Sequence, residues 1–319
     1  MYRLAILDDY ENAACKLADW SCLSQDVAID VFHDHLADES ELVKWLHPYD
    51  ILLIMRERTA FPRSVLQQLP TLQLLITTGR VNNSIDLDTC AERGVCVCGT
   101  DSTKNAASEL TWALILALLR KIPQADHQIR QGTWGAIFGN SIHEKKLGIL
   151  GLGRIGTLVA RVGQAFGMDI ISWSRHLTGE QAAGVGVKKV NKDELFQQSD
   201  ILTVHIGLNQ ESRGLIGARE LALMQPTAFL INTSRGAIID EQALLAALRN
   251  KHIAGAGLDV YPTEPVPANH PILQMPNTVL TPHIGYVTQE NFQIFFRQAI
   301  ENICAWLEGH PIRVVEPED

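Results

Sequence analysis

Residues 151–156 read GLGRIG, between the apolar run LGIL (147–150) and the helical-period stretch TLVARVGQAF. A glycine turn between a strand and a helix is the context in which this pattern binds a dinucleotide. Gly151 permits the tight turn, Gly153 lets the backbone approach a pyrophosphate, and Gly156 lets the helix pack closely on the strand; Arg154 and Ile155 lie within the same turn. The anion then meets unpaired N–H groups at the positive end of the helix dipole. About 20 residues on, NAD enzymes usually place an Asp or Glu on the ribose 2′-hydroxyl. Here the sequence runs Trp173, Ser174, Arg175, His176, with no acid before Glu180. A carboxylate would repel a 2′-phosphate, whereas a guanidinium pairs with one. Ser174 and Arg175 therefore favour NADP(H), with NAD(H) still open; a solvated arginine with no ligand role is the alternative.

Three more groups that can bind or titrate follow apolar strands. Arg235 comes after AFLINTS (228–234), Glu264 lies in DVYPTEP after IAGAGLDV (253–260), and His283 closes TVLTPH (278–283). Singly each is weak, since strand-end Arg and Glu are usually solvated and a lone His is more often structural. Together they fall on the strand edge that also carries GLGRIG, and open parallel sheets bind ligands at that edge.

To bring these groups to one edge the chain needs a parallel sheet, and it alternates apolar strand with amphipathic helix throughout. Strand candidates are RLAIL (3–7), VAIDVF (27–32), ILLIM (51–55), LQLLI (72–76) and VCVC (95–98), with helical segments at 39–46 and 64–69. A second series runs through 147–150, DIISW (169–173), ILTVHI (201–206), 228–234, 253–260 and 278–283. Nearly continuous apolar strands imply helices on both faces of a parallel sheet, and right-handed crossovers make it doubly wound. The apolar helix 104–121, closed by Pro123, is the expected crossover between the two series and equally a core or subunit-contact helix; a last helix covers 289–307.

Length agrees, because 319 residues make two domains at roughly 150 residues each. Hydrophobic residues at 46% and charged residues at 20% exclude disorder and disulfide-stapled scaffolds. A net charge of −9 argues against nucleic acid as partner. The start MYRLAILDDY lacks the features of a secretory signal, and the apolar run at 113–119 falls far short of the ~20 residues a membrane span needs. Six cysteines form no CxxC pair, and Cys96 and Cys98 share one strand face as small buried thiols. A cytoplasmic location is expected. His33 and His35, alternating with Asp34 on a strand, are read as a solvated strand end and not as a metal site.

GLGRIG, INTSRGAIIDE (231–241), GLDVYPTEP (257–265) and TPHIG (281–285), in this order and spacing, resemble the D-isomer-specific 2-hydroxyacid dehydrogenase family over nearly the whole chain. That family includes phosphoglycerate, glyoxylate/hydroxypyruvate and D-lactate dehydrogenases; formate dehydrogenase, a close relative, has Gln where this chain has Glu264. The resemblance implies hydride transfer between NAD(P)H and a small 2-keto acid or D-2-hydroxy acid. His283 would be the acid/base, Glu264 would orient it, and Arg235 would bind and polarise the substrate. It further places Asp259 by the nicotinamide carboxamide, Thr233 on a cofactor-side loop and His205 near the cofactor, with Gly207 where many members have Pro. TTGR (77–80), hence Thr78, Gly79 and Arg80, would hold the substrate carboxylate through backbone N–H groups. Arg56 would lie near the same cleft, a solvated loop arginine being the alternative. No metal is implied.

The same resemblance implies a flavodoxin-like substrate domain (1–100 with 286–319) and a Rossmann cofactor domain (101–285), with the active site between them and the two crossings as a hinge. A homodimer through the cofactor domain is expected, with the helix after Lys104 as its surface; Trp112 and Trp134 are read as packing or dimer residues. A chain that ends soon after its last helix, without a regulatory domain, favours a plain enzyme and weakens a phosphoglycerate assignment. The reading from another class is a dinucleotide-sensing, co-repressor-like binding protein without turnover.

Overall fold

Runs such as ILLI and LLIT have no polar face, and every residue of both is buried in a sheet covered by helices. They belong to a computed structural model that describes residues 1–36, 38–103, 105–135 and 137–317. The chain divides into two compact units, Met1–Thr103 with Val287–Asp319, and Lys104–Tyr286.

The first unit holds β1 (Tyr2–Ile6), β2 (Val27–Val31), β3 (Ile51–Ile54), β4 (Leu74–Thr77) and β5 (Cys96–Gly99), all parallel, in the order β2-β1-β3-β4-β5. This is the flavodoxin-like doubly wound order. The last helix, Gln289–Leu307, returns to this unit. Phe292, Phe295, Phe296, Ala299 and Ile303 line its buried face. Its polar residues are built into the unit as well: Asn302 donates to Gly99 O at 3.0 Å, and Gln298 accepts from Asp101 N at 2.6 Å.

The second unit holds β6 (Lys146–Leu150), β7 (Asp169–Trp173), β8 (Lys188–Lys189), β9 (Ile201–Val204), β10 (Phe229–Asn232), β11 (Gly255–Leu258) and β12 (Thr278–Leu280), all parallel. The order β12-β11-β10-β9-β6-β7-β8 is the dinucleotide-binding arrangement with one strand added beyond β11. β8 has no apolar signature because it is a two-residue edge strand of exposed lysines.

Strand alternation divides the second core in two. Leu147, Ile149, Ile201 and Ile231 face one layer, in which Leu114, Ile115, Leu118 and Leu119 of the helix Ala106–Leu119 are buried. Leu150, Leu202, Leu230 and Leu258 face the other, against the helices Lys192–Gln198, Ala218–Leu223 and Glu241–Arg249. Each such fully buried Leu or Ile contributes about 1.5–3 kcal/mol.

Two readings of the sequence change here. The apolar helix ends at Leu119, and Lys121 turns left-handed at φ 56°. Pro123 then sits in the first turn of a separate helix, Ile122–Arg130, so it opens a helix where it was expected to close one. Lys104 lies outside the described residues. The helix buries Leu114, Ile115, Leu118 and Leu119 in its own core and leaves Glu109 and Ala113 exposed. Secondly, β2 stops at Val31, so His33 and His35 do not alternate on a strand. His33 Nδ1 lies 2.9 Å from Asp9 O, and His35 Nδ1 lies 3.1 Å from the Asp8 carboxylate. Among the described residues no cluster of His, Cys, Asp and Glu could hold a metal, and no helix is long and apolar enough to cross a membrane.

Candidate active site

Register fixes which loops of the second unit share an edge. Trp173, Leu150, Val204, Asn232, Leu258 and Leu280 are partners from strand to strand, so β7, β6, β9, β10, β11 and β12 end on one level. From β6 to β12 are four strand spacings, roughly 19 Å, a distance that an extended dinucleotide can bridge.

At the β6 end the turn is closed by Gly151, at φ 101°, in the region that side chains rarely adopt. A Cβ on Gly156 would stand 2.2 Å from Gly151 O, so helix and turn meet only because it is absent. A Cβ on Gly153 would meet nothing within 4 Å. Gly153 caps the 12-residue helix Arg154–Ala165, leaving open space in front of its N-terminus, and this cradle fits a pyrophosphate. Arg154 is exposed and has no partner among the described residues, while Ile155 packs against the adjacent core.

The cradle opens into a cavity of 630 Å³ whose wall includes Gly151, Ser174, Arg175, His205, Leu208 and Glu211. Arg175 Nη1 donates to Glu211 Oε1 at 2.7 Å, and both side chains are more than half exposed. Across the floor, His205 Nε2 is 2.9 Å from Thr203 Oγ1. Desolvation pushes this half-buried imidazole down to about 3, so it lines the cavity as a neutral group.

At the far end His283 Nδ1 is 2.6 Å from Glu264 Oε2, and Glu264 Oε1 accepts from Tyr261 N at 2.7 Å. Both carboxylate oxygens are thus occupied, and Nε2 is the imidazole atom left to meet a reactant. His283 is itself left-handed at φ 54°. Asp259 holds that loop. It is 1% exposed, and it accepts from Thr281 Oγ1 at 2.6 Å, Ile284 N at 2.8 Å and Gly285 N at 2.9 Å. Burial raises its pKa, while these hydrogen bonds and the nearby His283 oppose the shift. The resemblance gives Asp259 to the cofactor, and in the structure its oxygens accept from the loop that carries His283.

Arg235 sits one strand away, its Nη1 donating to Ser234 O at 2.8 Å. Buried Asn232 turns the backbone there, donating to Arg235 O at 3.0 Å and accepting from Ser234 N at 3.0 Å. A Cβ on Gly236 would fall 2.0 Å from Tyr261 C, so a glycine lets the Arg235 loop lie directly against the Glu264 loop. Thr233 Oγ1 is 2.8 Å from Thr111 Oγ1. Thr111 gives its own proton to Ala107 O, so Thr233 is the donor to Thr111.

In the first unit Arg56, Thr78, Gly79 and Arg80 gather at the ends of β3 and β4. The Arg56 guanidinium covers Gly79, with Nη1 2.5 Å from where a Cβ would stand. Thr78 N donates to Ile54 O at 3.1 Å and Gly79 N to Thr100 Oγ1 at 2.9 Å. These two N–H groups are therefore already used, contrary to the carboxylate-holding role that the resemblance gave them. Arg80 pairs with Asp101 at 3.0 Å.

Sequence reasoning missed Glu211, Asn232, Tyr261 and Thr111. Glu211 and Thr111 reach the site from elements far away in sequence. Asn232 and Tyr261 stood inside quoted motifs, and only their hydrogen bonds show what they do.

Residues 112–285 match the family described as D-isomer specific 2-hydroxyacid dehydrogenase, NAD binding domain. The chain is 40% identical over 255 residues to the glyoxylate reductase of Aeropyrum pernix, covering 77% of this chain and 76% of that protein. It is 33% identical over 315 residues to the D-3-phosphoglycerate dehydrogenase of Bacillus subtilis, covering 98% of this chain but 58% of that longer protein. Among solved structures, the phosphoglycerate oxidoreductase of Vibrio cholerae matches with a TM-score of 0.92 at 36% identity, covering 97% of this chain and 100% of that one. Sheet order, glycine turn and relatives together define an NAD-binding α/β oxidoreductase. The chain belongs to the D-isomer-specific 2-hydroxyacid dehydrogenase family, and that membership indicates NAD-dependent 2-hydroxyacid dehydrogenase activity.

The neutral state of His205 has a measurable consequence. Between its folded pKa of about 3 and the ordinary value near 6.5, the unfolded chain binds a proton that the folded chain refuses, so stability falls as pH drops through that window. In urea titrations His205→Gln should show a shallower loss of stability from pH 6.5 to 4 than the wild type. Parallel curves would contradict the assignment.

Proposed function

We propose that the protein transfers hydride between NAD(P)H and a small 2-keto acid or D-2-hydroxy acid, NADP(H) being favoured and NAD(H) accepted. The observation that carries this reading is the 2.6 Å contact between His283 and Glu264, on the sheet edge that also presents Arg235 and the glycine turn. The nicotinamide, when bound, supplies or accepts the hydride. His283 Nε2 protonates the oxygen that becomes the hydroxyl, and takes the proton back in the oxidative direction. Glu264 keeps the imidazole turned so that Nε2 faces outward, and its negative charge stabilises the imidazolium. Arg235 binds the substrate carboxylate and polarises the carbonyl, which suits a rigid, permanently charged fork. The second unit takes the cofactor role, including the Thr233 loop, and the first unit takes substrate recognition through the guanidinium groups of Arg56 and Arg80. The guanidinium over Gly79 supports that last assignment.

The protein is further assigned to a reducing cytoplasm, supported by six cysteines that are all free. It is assigned as a homodimer. Trp134 and Phe138 are each 92% exposed, and Trp134 shares a groove with Ile122 and Ile129 of the neighbouring helix, apolar surface of the kind that marks an interface.

The wild type should oxidise NADPH with glyoxylate or hydroxypyruvate in an absorbance assay. His283→Ala should lower kcat by about 10²–10⁴-fold and still bind dinucleotide. Glu264→Gln should lower it by about tenfold or more. Full turnover by His283→Ala, or dinucleotide binding by the wild type without turnover on any 2-keto acid, would overturn the reading. The chain should sediment as a dimer of 35.3 kDa subunits, and a Trp134→Ser, Phe138→Ser double variant should shift toward monomer. A wild-type monomer at micromolar concentration would remove the dimer.

A further inference from the structure

We propose that Arg175 and Glu211 form a two-way selector for the cofactor, with Glu211 supplying from another loop the carboxylate that the end of β7 lacks. This rests on the dinucleotide site proposed above and names what decides its preference.

The adenosine end of the cavity has an unusual charge arrangement. Strand β7 ends in Ser174 and Arg175, so the common ribose-binding acid is missing from its usual place. Glu211 stands on the same wall, carried by the loop that follows β9. That loop has a fixed shape. Asn209 Oδ1 accepts from Glu211 N at 3.0 Å and from Ser212 N at 2.9 Å, while Ser212 Oγ donates to Gly207 O at 2.7 Å. The carboxylate is therefore delivered to the cavity rim by a rigid backbone.

The pair engages through one nitrogen, Arg175 Nη1, at 2.7 Å. The Nε and Nη2 edge of the fork has no other partner among the described residues. With side chains 52% and 58% exposed, the two charges remain in contact with water. Exposed pairs of this kind hold each other weakly and are open to exchange. A ribose 2′-hydroxyl needs an acceptor, which Glu211 provides. A 2′-phosphate needs a cation, which Arg175 provides through its open edge, at the cost of repulsion from Glu211. One site thus accepts either dinucleotide, and the carboxylate sets how far NADP(H) leads.

Calorimetric titration with 2′,5′-ADP and with 5′-AMP isolates this end of the site from turnover. Glu211→Gln should tighten 2′,5′-ADP by roughly fivefold and weaken 5′-AMP by a few-fold, moving the ratio by about tenfold or more toward the phosphate. Arg175→Ala should weaken 2′,5′-ADP by about tenfold or more and leave 5′-AMP within twofold. Unfolding curves check that both variants are folded. Loss of 2′,5′-ADP affinity in Arg175→Ala with no change in either ligand for Glu211→Gln would overturn the selector and leave the NADP(H) reading standing. An Arg175→Ala protein with unchanged affinity for 2′,5′-ADP would overturn both, and failure of the wild type to bind either fragment would remove the dinucleotide site itself.

Discussion

A buried carboxylate shapes the loop that carries His283. Asp259 is almost wholly out of water, which disfavours its charge, and the loop ahead of it answers with one hydroxyl and two amide donors. Those donors belong to Thr281, Ile284 and Gly285, so satisfying Asp259 and shaping the turn through left-handed His283 are the same event. Leaving a buried carboxylate short of donors costs about 1–3 kcal/mol or more, which ties the position of the imidazole to the integrity of the sheet end. Tyr261 adds a second tie: its hydroxyl lies between Leu258 O and Thr281 O, and its amide holds Glu264.

The remaining groups follow from strand register. Because five parallel strands from β6 to β12 end on one level, residues from 151 to 283 meet along a single edge without any long excursion of the chain. Charge is distributed unevenly along it. The β7 end carries an exposed ion pair, the middle a neutral imidazole, and the β12 end a short imidazole–carboxylate contact, with the Arg235 guanidinium on the strand next to that of Glu264. Such a gradient suits a ligand whose two halves need different treatment, anion recognition at one end and proton movement at the other.

Much of this was legible in the residues. Apolar runs with no polar face marked the parallel strands, and the last helix, 289–307, was read with its observed bounds because its apolar spacing is unambiguous. The glycine positions in the 151–156 turn carry their own explanation, since each lost Cβ corresponds to a contact or an opening in the structure. The ends of elements were harder. Pro123 reads as a stop in sequence but starts a helix, and nothing in KKV shows that a two-residue edge strand forms there. Side-chain partnerships were the least legible. Asp259 stands in a motif that suggests cofactor contact, and nothing local shows that a turn more than twenty residues away donates to it. Thr78 and Gly79 show free amides on paper, and Thr100 and Ile54 take them only once the sheet has formed. Glu211 lies in a polar loop with no local signal, and its meaning appears when β7 and β9 end side by side.

A crystal structure with a nicotinamide dinucleotide and oxamate, a 2-keto acid mimic, tests the central claim most directly. The account predicts pyrophosphate density at Gly153, the oxamate carboxylate on the Arg235 guanidinium, and its amide carbonyl oxygen within about 3 Å of His283 Nε2 while Nδ1 remains on Glu264. A dinucleotide seated away from the glycine turn, or an imidazole presenting Nδ1 to the ligand and released from Glu264, would contradict it.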